Sequence, residues 1–256
     1  MIKILSIAGS DPSGGAGIQI DLKTFQALGT HGMAVPAALT VQNSRGVTAT
    51  YPVPPRALSR QIETLLSDIK HDAVKTGMLL TRQTVNAVAK AVRKYRIRNL
   101  VIDPVIRSSS GKMLLKPDAI TSIKKELFPL ALVITPNISE AETLTGMRIM
   151  TDEDMDFAAG KLMDMGPRYV LIKGGHRALG AAVDTLYGGK TVLSFSTVRL
   201  KGEFHGTGCV LSSAIAVFIG KGLPVEKAVE KAKLFVERML KRAKRIGKGK
   251  AKYFKF

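Results

Sequence analysis

The segment His205-Gly206-Thr207-Gly208-Cys209 has the residue types of an anion site, and it stands directly before an apolar run of small residues. A glycine-rich turn that opens a helix leaves backbone N–H groups unpaired, and the helix dipole adds positive potential there. Helix N-termini also lower the pKa of a thiol, so we expect Cys209 to be partly thiolate at neutral pH. A buried, inert cysteine is the alternative, but the anion turn favours a functional thiol.

A second glycine-rich segment follows the first apolar run and holds four glycines between Gly9 and Gly17. Such a loop lets the backbone approach a ligand closely, but it matches neither the Gly-Lys-Ser/Thr phosphate loop nor the Gly-x-Gly-x-x-Gly fingerprint. A tight strand–helix connection explains it equally well. Asp21, one turn into the next helix, is expected to face the strand ends and to bind a ligand, unless it is an exposed helix carboxylate.

Polar residues also end or follow three further apolar runs. Thr40 and Gln42 end one of them, and the Gln42 amide offers a donor and an acceptor, which suits the edge of a heterocycle. A plain strand–loop transition is the equally simple alternative. Asp103 ends another run, and Asn137 and Glu140 follow a third. These oxygen ligands are the type that Mg²⁺ prefers, although Asn137 is also a good helix N-cap.

Strands and helices alternate along the chain and would position these segments. The sequence predicts strands or buried runs at 2–8, 33–41, 47–53, 73–74, 100–103, 130–135 and 169–173, and a hairpin of 183–187 with 191–198. It predicts helices at 16–28, 56–69, 81–95, 118–128, 140–144, 152–165, 207–219 and 225–245. This alternation is typical of an α/β fold with a central, mainly parallel sheet and helices on both faces. The active site is then expected beyond the carboxyl ends of the strands.

Length and composition limit the class of protein. A chain of 256 residues with 45% hydrophobic and 23% charged residues is not wholly disordered, and no break in the alternation separates two domains. We predict one domain over 1–245 and a basic tail over 246–256. The single cysteine excludes an internal disulfide and a cysteine-rich metal site. No apolar run approaches the ~20 residues that span a bilayer, so we expect a cytoplasmic protein without a membrane partner.

Positive charge is concentrated at the C-terminal end of the chain. The net charge is +19, and residues 221–256 hold 13 Lys and Arg against three Glu, which is +10. A solvated helix face followed by a basic tail is the simpler interpretation, and a surface for nucleic acid or acidic lipid is the other. The segment lacks the aromatic interleaving that single-strand binding uses, so we do not expect a nucleic acid partner.

Six segments of the chain resemble motifs of the ribokinase-like superfamily and, more closely, of the hydroxymethylpyrimidine and phosphomethylpyrimidine kinases. They occur in the family's order between about residue 2 and residue 240. The segments are 8–19 with 21–25, Gln42-Asn43-Ser44-Arg45-Gly46-Val47, Lys75-Thr76-Gly77-Met78-Leu79, Thr135-Pro136-Asn137, Lys173-Gly174-Gly175-His176 and His205-Gly206-Thr207-Gly208-Cys209. Each segment alone is weak evidence of the resemblance, but six segments in the same order are specific for the family.

The resemblance implies a three-layer sandwich and a kinase that uses Mg²⁺ and ATP. Such kinases phosphorylate the hydroxymethyl group of 4-amino-5-hydroxymethyl-2-methylpyrimidine and then its monophosphate, in thiamine biosynthesis, and members of the superfamily often dimerise. Carried over by motif, the pyrimidine would contact Gly9, Asp21, Thr40, Gln42, Met78 and Val105. The catalytic turn would be Gly206, Thr207, Gly208 and Cys209, with the thiol as general base or as the group that orients the hydroxyl. The nucleotide would contact Asn137, Lys173 and Thr207, and the metal Asp103 and Glu140.

Departures from the family pattern leave two rivals open. Arg107 and Lys112 follow the Asp103 segment, where they would hold a substrate phosphate or belong to a lid, and Phe204 stands where a Thr or Asn is usual. A pyridoxal or pyridoxine kinase is the enzymatic rival, since pyridoxal also carries a hydroxymethyl group on an aromatic nitrogen ring. The rival from another class is a non-catalytic protein that binds the precursor or nucleic acid.

Overall fold

The computed structural model describes residues 1–174, 182–189, 191–197 and 200–256. Its strands are β1 (Lys3–Ser10), β2 (His31–Asn43), β3 (Gly46–Pro52), β4 (Ala73–Thr76), β5 (Leu100–Ile102), β6 (Val133–Ile134), β7 (Tyr169–Lys173), β8 (Ala182–Gly188) and β9 (Thr191–Thr197). Its α-helices are α1 (Gly17–Ala27), α2 (Pro55–Asp68), α3 (Arg82–Lys94), α4 (Pro117–Ser122), α5 (Ile138–Thr145), α6 (Asp152–Met163), α7 (Thr207–Gly220) and α8 (Val225–Lys241). The predicted alternation is confirmed.

The strands form a nine-stranded sheet in the order β3-β2-β1-β4-β5-β6-β7-β8-β9. Six neighbouring strands of this order pair in parallel, namely β2, β1, β4, β5, β6 and β7. On one side β3 pairs antiparallel with β2, and on the other side β8 and β9 pair antiparallel. The predicted mainly parallel sheet is therefore confirmed. Parallel pairing brings the carboxyl ends of six strands to one edge, which is where ligands bind in folds of this kind.

Helices cover both faces of the sheet, because side chains alternate between the faces along each strand. Leu5 and Ile7 of β1 pack with the layer of α2 to α6, while Ile4 packs with the layer of α1, α7 and α8. The predicted three-layer sandwich is thus confirmed. Among the described residues, we find no helix that combines the length and the apolar character needed to cross a membrane.

The elements between β5 and β6 differ most from the predicted ones. The helix predicted at 118–128 is α4, a π-helical turn (Ile123–Leu127) and a short 3₁₀ turn (Phe128–Leu130). Pro129 lies in that last turn, and a proline has no N–H to continue an α-helix. The strand predicted at 130–135 consequently keeps only the two residues of β6.

The C-terminal segment packs against the body of the protein. Lys244 and Tyr253 exchange two backbone hydrogen bonds of 2.9 and 2.8 Å, and Lys252 pairs with the chain at Glu203 and His205. Tyr253 and Phe254 are buried. The predicted basic tail thus packs against the body over part of its length, and the domain boundary at residue 245 stays a prediction.

Candidate active site

Most of the residues that the sequence singled out lie at the carboxyl edge of the parallel sheet. Gly9 lies near the end of β1, and Gln42 lies near the end of β2. Asp103 directly follows β5, Asn137 follows β6 after two further residues, and Lys173 is the last residue of β7. The register of β1 against β2 shifts between Ala8 and Gly9, so the pairing is irregular where the first glycine-rich loop begins. The roles of the individual residues stay predictions, but the structure brings their segments to one edge.

The first turn of α7 presents unpaired backbone N–H groups at this edge. Gly206 is the N-cap in the left-handed conformation (φ 81°), and no side chain caps the helix. A Cβ at Gly206 would collide with the carbonyl oxygen of Gly15, so a glycine is required where the two glycine-rich loops meet. The helix ladder begins with Val210 N–H donating to Gly206 O at 3.0 Å. The N–H groups of residues 207–209 consequently have no partner inside the helix.

A partly open ion pair lies beside this turn. Lys173 Nζ lies 2.9 Å from Asp103 Oδ1, and the two side chains are 14% and 3% exposed. A Cβ on Gly208 would lie only 3.2 Å from Lys173 Nζ, so the absent side chain lets the ammonium group approach the turn. Burial opposes ionisation of Asp103, but the charges of Lys173 and Lys75 outweigh it and hold the pKa below its ordinary value. The turn therefore has a lysine charge beside it.

Asn137 and Glu140 form a capping box at the start of α5. Asn137 Oδ1 accepts from the N–H of Glu140 at 2.9 Å, and Glu140 Oε2 accepts from the N–H of Asn137 at 2.9 Å. The N-cap interpretation of Asn137 is thus confirmed. Burial raises the pKa of Glu140 to about 7, with Lys173 opposing the rise and Asp103 adding to it.

The two carboxylates fit Mg²⁺ by their chemistry. Asp103 and Glu140 are both nearly buried, and the charge of one raises the pKa of the other. In the part of the chain that the structure describes, no three His, Cys, Asp or Glu side chains converge as a metal site. Mg²⁺ usually takes one or two protein carboxylates together with substrate phosphates, so this pair suffices.

Cys209 is half-buried in the first turn of α7 and is not poised as a thiolate. Burial raises the pKa of the thiol to about 12; Lys75 opposes the rise, and the charges of Asp103 and Asp21 add to it. The expected thiolate at neutral pH is therefore wrong, because burial outweighs the helix terminus. A hydrogen bond from the backbone of Gly17 favours the anion and links the sulfur to the start of α1. The thiol thus lies among charged groups as well as beside the apolar core.

Asp21 forms a fully buried ion pair with Lys75. Its carboxylate is fully buried, lies 2.8 and 3.0 Å from Lys75 Nζ, and accepts hydrogen bonds from Ser6 at 2.6 Å and Ser213 at 2.7 Å. The expectation that Asp21 faces a ligand is corrected, since these internal partners occupy both oxygens. Sequence reasoning assigned no role to Lys75, although a lysine inside the apolar strand β4 was a usable signal. Burial disfavours its charge, but Asp21, Cys209 and Asp103 together raise the pKa of Lys75.

A polar network surrounds Gln42. Its side-chain amide lies 3.0 Å from His205 Nε2 and 3.2 Å from Thr40 Oγ1, and the Thr40 hydroxyl donates to the carbonyl oxygen of Ser10 at 2.9 Å. His205 Nε2 also lies 3.0 Å from Asp11 Oδ2. The sequence analysis gave Asp11 and His205 no role of their own. The network joins the end of β2 to both glycine-rich loops.

An apolar wall lies next to this network. A Cβ on Gly9 would lie 2.9 Å from Met78 Sδ, so the glycine lets Met78 pack onto the end of β1. Met78 belongs to a small apolar cluster against which Val105 packs. Gly9, Met78 and Val105 therefore come together, as a wall for a flat ring requires.

Two predicted features remain outside this arrangement. Lys112 Nζ donates to the carbonyl oxygen of Thr48 in β3, and Arg107 donates to Gly111 O within its own loop. A role of these two cations at a substrate phosphate stays a prediction. The Gly175-His176 part of the fifth motif lies outside the described residues.

The chain is similar in sequence to kinases and a bifunctional protein of thiamine biosynthesis. Residues 11–253 match the family model described as phosphomethylpyrimidine kinase. The chain is 45% identical over 250 residues to the hydroxymethylpyrimidine/phosphomethylpyrimidine kinase of Rhizobium meliloti, covering 96% of this chain and 94% of that protein. It is 44% identical over 247 residues to the thiamine biosynthesis bifunctional protein ThiED of Geobacter sulfurreducens, covering 96% of this chain and half of that longer protein.

Solved structures resemble the chain over nearly all of its length. The phosphomethylpyrimidine kinase of Clostridium difficile has a TM-score of 0.84 and 42% identity, covering 94% of this chain and all of that one. The pyridoxal kinase of Staphylococcus aureus, in complex with AMP-PCP and pyridoxal, has a TM-score of 0.90 and 34% identity, covering all of this chain and 93% of that one. The fold is thus shared by two kinds of vitamin kinase.

Proposed function

The chain belongs to the phosphomethylpyrimidine kinase family, and on that premise we propose that it transfers the terminal phosphoryl group of ATP, with Mg²⁺, to the hydroxymethyl group of 4-amino-5-hydroxymethyl-2-methylpyrimidine. The same site then converts the monophosphate to the diphosphate, as a step of thiamine biosynthesis. One observation carries the proposal: the uncapped first turn of α7, with its free N–H groups, contains Cys209 and is approached by the Lys173 ammonium group at Gly208.

The phosphate end of the site acts by position and charge. Phosphoryl transfer needs little covalent chemistry from the protein, so N–H donors and cations aimed at the moving group dominate the rate. The N–H groups of residues 207–209 bind the terminal phosphate, and Lys173 neutralises part of its charge. Mg²⁺, when bound by Asp103 and Glu140, supplies further neutralisation. A cation there also favours the ionised form of Glu140, whose pKa of about 7 leaves it partly protonated otherwise.

The acceptor end of the site holds the hydroxymethyl group. Cys209 with a pKa of about 12 is a neutral thiol at physiological pH, so it orients the hydroxyl rather than removing its proton at the outset. A loose, metaphosphate-like transition state tolerates this, because the attacking oxygen needs little activation. Gln42 and Thr40 contact the edge of the ring, while Gly9, Met78 and Val105 form its wall. Asp21 acts only indirectly, because it pairs with Lys75, and the charge of Lys75 acts on the Cys209 thiol.

The reaction is tested directly by mass spectrometry. Incubation with Mg-ATP and the hydroxymethylpyrimidine should yield first the monophosphate and then the diphosphate. The matched control is Lys161→Met, which removes an exposed lysine in the last turn of α6 that lies over the Phe157 ring, and it should form both products at the rate of the unchanged protein. Consumption of ATP without any phosphorylated pyrimidine would contradict the proposal.

Pyridoxal kinase is the second candidate. The similarity to a pyridoxal kinase solved with pyridoxal, at 34% identity over the whole chain, favours it. The two substrates at equal concentration in one reaction separate the candidates. We expect the pyrimidine monophosphate to accumulate faster than pyridoxal phosphate, and formation of the pyrimidine diphosphate would exclude pyridoxal as the sole substrate. Pyridoxal phosphate as the dominant product would favour this second candidate.

A homodimer is part of the proposal. Leu39 and Val41 of β2 and Tyr51 of β3 are about half exposed on the outer strands of the sheet, and they offer an apolar surface to a second copy. Light scattering should give twice the mass of 27.6 kDa. Replacement of Val41 and Tyr51 by lysine should give a monomer, whereas a monomeric unchanged protein would contradict the dimer. The location in the cytoplasm stays a prediction.

A further inference from the structure

One ring nitrogen of His205 faces two partners that make opposite demands on it. His205 Nε2 lies 3.0 Å from Asp11 Oδ2 and 3.0 Å from the side-chain amide of Gln42. A ring nitrogen either carries a proton and donates, or carries a lone pair and accepts. It cannot donate to a carboxylate and accept from an amide NH₂ group at the same time. The hydrogen-bond balance of the neighbours therefore fixes its protonation.

Asp11 determines the state of this nitrogen. Its oxygens accept from Ser13 N–H at 2.9 Å, Ser13 hydroxyl at 2.7 Å, Gly15 N–H at 3.2 Å and Ala16 N–H at 2.8 Å. Burial opposes ionisation, but the hydrogen bonds from His205 and Ser13 outweigh it and lower the pKa of Asp11. An ionised carboxylate only accepts hydrogen bonds. His205 must therefore carry its proton on Nε2.

Thr40 determines the orientation of the Gln42 amide. A hydroxyl has one proton, and Thr40 donates it to Ser10 O at 2.9 Å. The Gln42 carbonyl oxygen Oε1 lies 3.2 Å from Thr40 Oγ1 and the Gln42 Nε2 lies 3.0 Å from His205 Nε2, which leaves no proton between the two oxygens and sets two N–H donors against each other. The oxygen and nitrogen of a side-chain amide are assigned from the hydrogen-bond network, and this network requires the two to be exchanged, so that the NH₂ group lies at Thr40. The Gln42 carbonyl oxygen consequently faces the proton of His205 Nε2. Every group in the network has a compatible partner in this arrangement, and one N–H of Gln42 is left over.

We propose that His205 is a positioning residue that fixes the Gln42 amide so that it presents an N–H donor to the ligand. The site then selects a flat heterocycle with an acceptor nitrogen at that edge and rejects a ring that offers N–H or C–H there. This deepens the proposed function and rests on it for the identity of the ligand. The orientation of the amide follows from the hydrogen bonds of the protein alone.

The C-terminal segment keeps His205 in place. The rings of Tyr253 and His205 lie 5.1 Å apart, and the Tyr253 hydroxyl lies 3.1 Å from Ser13 Oγ. The backbone N–H of His205 donates to Lys252 O at 2.9 Å. A Cβ on Gly15 would collide with both rings. The segment thus clamps the imidazole between the two glycine-rich loops.

The protonation of His205 can be measured without any ligand. Nitrogen-15 chemical shifts of the imidazole rings in the full chain at pH 7.5 report which ring nitrogen carries the proton, and His205→Gln identifies the signal. We expect a protonated Nε2, in a neutral or a cationic ring. A neutral ring with the proton on Nδ1 and a free lone pair on Nε2 would overturn the proposal. This readout does not depend on whether the protein phosphorylates a pyrimidine.

Binding calorimetry tests the consequence for recognition. The probes are the hydroxymethylpyrimidine and an analogue in which the acceptor ring nitrogen is replaced by C–H. The unchanged protein should prefer the pyrimidine about tenfold, which is the value of one hydrogen bond. His205→Ala should reduce this preference to near one. His205→Gln should restore part of it, because its side chain can donate to Asp11 and still meet the Gln42 amide.

The outcomes separate the two proposals. An unchanged preference in folded His205→Ala would overturn the positioning role. Tyr253→Phe keeps the ring beside His205 and loses only the contact to Ser13, so it should retain the preference and serves as the control for packing. If the unchanged protein binds neither probe, the proposed substrate is wrong, while the chemical shifts still decide the state of His205.

Discussion

Two lysine–aspartate pairs lie around the start of α7, and they differ in burial. Lys75 and Asp21 are fully buried, and serine hydroxyl groups of β1 and α7 complete the partners of the carboxylate. Lys173 and Asp103 are partly open, and the other partners of Asp103 are distant, at 3.3 Å from Thr135 and 3.4 Å from Ser212. The first pair is saturated by the protein, and the second still has capacity for a ligand.

The difference in burial indicates a structural role for the first pair and a ligand-binding role for the second. A buried pair whose hydrogen-bonding atoms are all used can fix neighbouring groups, but it cannot bind a substrate without giving up an internal bond. A lysine at the edge of solvent can move from its carboxylate to a phosphate, because water compensates the exchange. We therefore propose that Lys75 and Asp21 support Cys209, that Lys173 binds the nucleotide and that Asp103 binds the metal.

Asp21→Ala should have the largest effect, since it leaves a buried ammonium group without its counter-ion. Loss of one partner of a buried pair typically costs about 3–5 kcal/mol of unfolding free energy, so urea denaturation should show severe destabilisation or no folded protein. The double variant Asp21→Leu with Lys75→Met should recover most of the loss, because it removes both charges. Glu63→Ala in the exposed Glu63–Lys94 pair is the control and should change little. A folded Asp21→Ala protein of normal stability would refute the sealed pair.

Lys173→Met should fold but lose turnover. Removal of one group that stabilises the transferred charge typically lowers kcat about 10²–10³-fold, and the loss of stability should be smaller than for Asp21→Ala because the charge of Lys75 still favours the Asp103 carboxylate. Steady-state kinetics with Mg-ATP and the pyrimidine measure the effect, with Lys161→Met as the matched control. Normal turnover in Lys173→Met would show that the open pair has no catalytic role.

Cys209→Ala should reduce turnover by about 10²-fold, because a reacting group that is no longer held in line loses about that much rate. The raised pKa of about 12 also predicts that kcat of the unchanged protein shows no ionisation of this thiol between pH 6 and 9. Cys209→Ser should restore part of the rate, since a hydroxyl can also orient the acceptor. A tenfold rise in kcat for each pH unit in that range would mean that the thiolate is the base instead.

Glu140→Gln should have the smallest effect, a rise of a few degrees in the melting temperature at pH 8 without Mg²⁺. The folded pKa of about 7 lies above the ordinary 4.5, so the folded state binds this proton more tightly than the unfolded state. Its stabilising contribution is complete below about 4.5 and is lost as the pH rises through about 7. Thermal unfolding at pH 5 and pH 8 tests this. Mg²⁺ with ADP should stabilise the unchanged protein more than the variant, and an equal response would remove Glu140 from the metal site.

Most of the fold could be predicted from the sequence. The strand–helix alternation predicted the sheet, its two helical layers and the edge that carries the site, because hydrophobic periodicity is a local signal. The motif order predicted the first turn of α7 and the place of Lys173. The predicted strand at 130–135 is longer than β6, because the turn at Phe128–Leu130 extends into its first residue and only Val133–Ile134 pair in the sheet.

Long-range partners account for the errors within the site. Asp21 meets Lys75 54 residues away and Ser213 192 residues away, so its position one turn into α1 could not show that it is sealed. The thiol of Cys209 follows its burial and its acidic neighbours rather than the helix terminus that the sequence displays. The clamp on His205 depends on a ring contact with Tyr253, which is distant in sequence and which the charge pattern of the basic tail does not reveal.

A crystal structure with the pyrimidine, Mg²⁺ and the methylene analogue of ATP tests the central assignment most directly. We expect an oxygen of the terminal phosphate within hydrogen-bond distance of the N–H groups of residues 207–209 and of Lys173 Nζ. The hydroxymethyl oxygen should lie between that phosphate and Cys209 Sγ, with Asp21 still paired to Lys75. A terminal phosphate bound away from the first turn of α7, or a pyrimidine contacting Asp21 in place of Lys75, would contradict the account.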